Sequence, residues 1–167
     1  ALEAPEALIR RIAARDDVRE VRIDRKIPRP VPKPSATPTV SSADPAWNIG
    51  MIRAPEVWAI DPRYTGQGVV VGSFDTGVDG THPDLAPRYR GNNAISWFDP
   101  YGEHAAPYDN NGHGTHTVGT MVGGDLSGYS IGVAPSAQWI AAKGWDDAEN
   151  ATASAFHEIF QWFLAPG

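Results

Sequence analysis

The stretch "VVVGSFDTGVDGTHPDL" (residues 69–85) decides the fold. It opens with a continuous run of β-branched and small apolar residues, the pattern of a strand covered on both faces, and residues 68–74 are expected to form one. The run stops at Asp75, and Gly77 turns the chain two residues later. A carboxylate placed where a buried strand meets its loop is costly unless something pairs with it. The sequence must therefore supply a partner.

The candidate lies in "DNNGHGTHTVGT" (residues 109–120). Residues 113–123 have helical character and follow directly on the loop "DNNG", which puts His113 at the helix start. A carboxylate at a strand end can hold an imidazole in one tautomer and stabilise the imidazolium formed when the ring takes a proton. That pairing suits a general base. Taken singly, Asp75 reads as a turn-forming residue and His113 as a helix-start residue; only the two motifs together favour the catalytic reading.

The remaining elements build outward from this pair. "AQWIAAKGW" (137–145) is a second buried strand and "NNAISWF" (92–98) a weaker one. "APEVWAI" (54–60) is a short helix with Pro55 in its first turn. Residues 151–167 form a closing amphipathic helix whose core face is Phe156, Ile159, Phe160 and Phe163. Trp97, Trp139, Trp145 and Trp162 read as core. Strands alternating with helices predict an α/β fold with a mainly parallel sheet flanked by helices, and reactive groups at the carboxyl ends of its strands.

Ahead of this unit the chain changes character twice. Residues 2–15 are expected to be helical, and "VREVRIDRKI" (18–27) alternates like a half-exposed strand. So small an α+β unit cannot bury enough surface to stand alone. Residues 28–46 carry six prolines and read as a linker. The expected organisation is 1–27, 28–46 and 47–167.

Composition excludes several function classes. The chain has 167 residues, a net charge of -6 and no cysteine. The acidic balance argues against nucleic acid as a partner, and no apolar run is long enough for membrane insertion. Thiolate chemistry, disulfides and cysteine-based zinc sites are ruled out.

The motifs "DTGVDGTHPDL" and "GHGTHTVGT" resemble the aspartate and histidine signatures of the subtilisin-like serine proteases (subtilases). "IGVAPSAQWIAAK" resembles the segment that follows the histidine helix there. "WNIGMIRAPEVW" and "QWFLAPG" are similar to the bacillopeptidase F-like branch. The resemblance covers residues 47–167, and it implies a serine endopeptidase acting on protein or peptide substrates. It makes Asp75 the triad aspartate and His113 the general base. Thr76 and Gly77 would shape the aspartate turn, Gly114 and Thr115 would let the histidine helix pack closely, and Asn111 would sit at the substrate rim. Residues 1–27 are similar to the end of an intramolecular inhibitory propeptide, and family habit implies a secreted zymogen. The family's serine motif is not found in the 167 residues. The reading is therefore an incomplete subtilisin-like domain, inactive as given, whose non-enzymatic rival is a truncated interaction module.

Other groups compete for the chemistry and lose. His82 and Asp84 in "THPDL" read as structural, around a turn fixed by Pro83. His116 follows His113 by three residues, without the four-residue spacing and intervening glutamate of a metalloprotease helix, so no catalytic metal is expected. "GYSIG" (128–132) matches the nucleophile-elbow pattern of an esterase at Ser130, but no buried strand precedes it and no helix follows. No cofactor is required for the chemistry. The resemblance allows a structural calcium at the loop 124–130, where Asp125 is the one acidic side chain.

Overall fold

The computed structural model describes residues 3–29, 31 and 45–165. Most of the expected proline-rich linker lies outside the described residues. Three strands, β2 (Val70–Asp75), β3 (Trp97–Phe98) and β4 (Gln138–Lys143), pair in parallel in the order β2-β4-β3. The register runs from Val70 opposite Gln138 to Asp75 opposite Lys143, so Asp75 stands at the carboxyl end of the sheet.

β4 has neighbours on both sides and is buried at every position after Gln138. β2 is an edge strand, and Val70 and Gly72 are exposed. The expectation that this strand is buried on both faces is corrected for its first half: helices pack on both faces near its carboxyl end, but Val70 and Gly72 stay exposed. The expected strand at 92–98 is also shortened. Asn92 takes a left-handed φ of 54°, a helical turn α4 (Asn93–Ser96) follows, and only Trp97–Phe98 remain extended.

Successive side chains of β2 point to opposite faces. On one face α5 (His113–Val122) closes a core of Val78, Leu85, Trp97, Val118, Val122, Ala137, Trp139 and Ala141. Trp139 is fully buried, and its indole N–H donates to the Leu85 carbonyl at 2.8 Å, which satisfies the polar end of a large apolar anchor. On the other face Phe74 packs edge-on against Phe156 of α6 (Ala153–Leu164) and stacks with Trp145. Ile159 is fully buried there, whereas Phe160 remains 54% exposed, a correction to the expected core face. The Thr152 hydroxyl caps α6 by accepting from the Ala155 amide at 3.2 Å.

Two further helices precede the sheet, α2 (Trp47–Met51) and α3 (Ala54–Ile60); the second carries Pro55 in its first turn as expected. At the N-terminal side, α1 (Glu6–Ala13) forms as expected but buries no residue. The expected strand at 18–27 does not form as such: extended pairing is confined to β1 (Lys26–Pro28), which runs antiparallel to β5 (Asn150–Thr152). Val21 and Ile23 are 44% and 84% exposed, so the alternation that suggested a strand has no partner surface to bury.

Candidate active site

Asp75 and His113 meet. One carboxylate oxygen, Asp75 Oδ1, lies 2.6 Å from His113 Nδ1 and also accepts the Thr76 amide at 2.7 Å. The other oxygen accepts from the Thr117 hydroxyl at 3.3 Å. A carboxylate oxygen only accepts, so the hydrogen of this contact is assigned to Nδ1; in the neutral ring Nε2 then holds the lone pair. The imidazole is 46% exposed while the Asp75 side chain is 15% exposed. An anchored acid thus holds a half-exposed imidazole at the sheet's rim.

Sequence reading left out the residue that builds this geometry, Asp109. Its carboxylate accepts five hydrogen bonds: from the hydroxyls of Thr76 (2.9 Å) and Thr115 (2.6 Å), and from the amides of Asn111 (3.0 Å), Gly112 (2.9 Å) and Thr115 (2.9 Å). The three amides belong to the turn entering α5, whose first N–H groups have no partner within the helix. Thr76 in turn accepts the Gly114 amide at 2.9 Å. Asp109 therefore ties the turn after Asp75 to the helix that carries His113. A signal was present, since an acid four residues before a helix-start histidine can cap that helix.

Burial on its own pushes the Asp109 carboxyl up, but the Thr115 hydroxyl and the amides of Gly112, Thr115 and Asn111 outweigh it and leave the group below its ordinary range. A carboxyl lowered by folding adds stability above its unfolded value and loses it as pH falls through the folded one. Thermal melts of the full-length protein should therefore weaken as pH drops below about 4. Asp109→Asn should flatten part of that slope and cost about 1–3 kcal/mol at neutral pH, because its amide NH2 would face backbone donors. An unchanged slope in the variant would refute the assignment.

Lys143 supports the same rim from beneath. Its fully buried ammonium lies 3.4 Å from the Thr76 carbonyl, 3.2 Å from Asn110 Oδ1 and 3.1 Å from Asp147 Oδ1. Glu103, His104 and Asp147 have ligand atoms within 4.8 Å of one another, the one such group among the described residues. Asp147 already accepts from the Lys143 ammonium, and Glu103 accepts the Asp147 amide at 3.0 Å.

Other candidate residues make separate contacts. His82 Nδ1 accepts the Asp84 amide at 3.2 Å, and the buried Asp84 carboxylate accepts from both the amide and the hydroxyl of Ser127. Asp125, the one acidic side chain of the loop 124–130, is exposed. His116 faces a cleft lined by Trp47, Asp79, His82 and Tyr129 rather than joining Asp75 and His113. Ser130 sits in irregular chain with no strand before it and no helix after it, as expected. Asn111 is exposed; its amide group donates to Glu149 at 2.7 Å and its oxygen accepts from the His113 amide at 3.3 Å. No described helix is long and apolar enough to cross a membrane.

Residues 66–163 match the Subtilase family. The chain is 43% identical over 130 residues to bacillopeptidase F of Bacillus subtilis (strain 168), covering 72% of this chain and 9% of that protein. It is 40% identical over 95 residues to the major intracellular serine protease of the same organism, covering 57% and 29%. Subtilisin Savinase of Lederbergia lenta is 35% identical over 116 residues, covering 70% and 39%. The chain thus spans well under half the length of each of these relatives.

Proposed function

Since the chain belongs to the Subtilase family, we propose that it carries the aspartate and histidine of a serine endopeptidase triad, Asp75 and His113. The observation that carries this reading is the 2.6 Å contact between Asp75 and the Nδ1 of a His113 ring that is 46% exposed. In this mechanism Nε2 takes the proton of a serine hydroxyl as its oxygen attacks the peptide carbonyl, then passes that proton to the leaving amine. Asp75 fixes the tautomer and steadies the transient imidazolium. Asn111, at the rim, faces the substrate.

The nucleophile is proposed to come from sequence outside residues 1–167. The hydroxyls of Ser96, Ser127, Ser136 and Ser154 are engaged elsewhere, with Arg90, Asp84, Thr65 and Asp24. By itself the 167-residue chain should not hydrolyse peptides, since a base without an attacking group and its oxyanion donors lacks the main sources of catalysis. Residues 1–27 are proposed as the end of an intramolecular propeptide and 28–46 as its linker. The β1 pairing with β5 supports this, and the engaged stretch runs on to Arg29.

A fluorophosphonate probe applied to the full-length protein tests the reading. Mass spectrometry should place the label on a serine beyond residue 167. A label on Ser130 would make the chain an esterase of another design, and no label at all would favour an interaction module.

A further inference from the structure

The segment leading out of α1 is gripped at both ends and paired in between. β1 adds to β5 as an antiparallel strand, with Lys26 opposite Thr152, Ile27 opposite Ala151 and Pro28 opposite Asn150. Asp24 accepts from the Ser154 amide at 3.3 Å and from its hydroxyl. At the far end the Arg29 amide donates to the Glu149 carbonyl at 3.1 Å, and its guanidinium reaches the Glu149 carboxylate at 3.2 and 3.4 Å. Main-chain pairing of an added strand is indifferent to sequence, whereas a side-chain pocket is not.

Glu149 is the discriminating group. The Arg29 side chain is only 11% exposed in this contact, so the charge pair is not a loose surface bridge. The same carboxylate accepts from Asn111, whose oxygen holds the His113 amide, so the grip on arginine connects to the helix that carries the ring. Glu149 also adopts a left-handed φ of 60°, which glycine takes freely and glutamate does not. A residue kept in that conformation against its preference marks a position where the side chain is used.

We infer that Glu149 is a specificity-determining residue: for a peptide paired along β5 as residues 26–28 are, it selects arginine or lysine at the place that Arg29 occupies. This rests on the peptidase reading above. Arginine should outrank lysine, because its planar fork can engage both carboxylate oxygens.

The test uses the full-length protein carrying Arg29→Glu, which loosens the resident strand. A fluorescent peptide of sequence IDRKIPR, matching residues 23–29, should bind by anisotropy. The same peptide ending in glutamate should bind about tenfold more weakly or worse, and adding Glu149→Arg should reverse that order. Equal binding of the two peptides, or binding of neither, overturns the inference. A protein that binds with this preference yet cuts no peptide overturns the peptidase reading and leaves the inference standing. One that cuts peptides without regard to a basic residue does the opposite.

Discussion

Replacing His113 with alanine in the full-length protein is expected to lower kcat for peptide hydrolysis by about 10⁶-fold, and Asp75→Ala by about 10⁴-fold. The order follows from the geometry. His113 moves the proton, so its loss removes general acid and general base together. Asp75 acts only through the ring it touches at 2.6 Å, and a ring without that partner still functions in a fraction of orientations. For the same reason the double variant should be no slower than His113→Ala alone, because a carboxylate with nothing to orient contributes nothing. KM should change little, since neither group binds remote parts of a substrate. A loss below about tenfold in His113→Ala, with circular dichroism showing an intact fold, would remove the ring from the mechanism. Additive losses in the double variant would instead detach Asp75 from His113.

Much of this site was legible because its chemistry is encoded locally. A strand that ends on an acid and a helix that begins on a histidine each announce themselves in about ten residues, and the parallel sheet brings them to one rim. What was not legible depends on residues distant in sequence. Asp109 was within the quoted histidine stretch, but its value comes from Thr76, 33 positions away. Lys143 lies within the expected strand 137–145, and only the fold shows it reaching the Thr76 carbonyl. Glu149 carries no motif, and its pairing with Arg29 spans 120 positions. The misread strand at 18–27 has the converse cause. Alternation of Val21 and Ile23 with charged residues is real, but a period of two states only which face could be buried, not that a surface exists to bury it.

The close approach of the two motifs makes a second strong prediction, on stability, within a single helix. A side chain at Gly114 would place its Cβ inside the contact radius of the Gly77 carbonyl oxygen and 3.1 Å from Asp75 Cβ. These are the backbone and the stem of the turn that holds the acid, not flexible side-chain tips that can swing away. Gly77 cannot retreat easily, as it sits at φ 120° with its own open face against the Tyr108 carbonyl. Gly114→Ala should therefore push α5 off the sheet, destabilise the full-length protein by about 3 kcal/mol or more, and abolish activity with it. Gly119→Ala is the control. It lies in the same helix, one turn and a half further on, and its added Cβ would meet only Ile131 Cδ1 at an ordinary 3.8 Å. There the alanine should be neutral or stabilising by up to about 1 kcal/mol, because it reduces the entropy lost on forming the helix. Denaturant melts of the two variants decide the matter. Equal losses would mean that helix-wide glycine content, and not contact at Gly114, lets the acid and the imidazole meet.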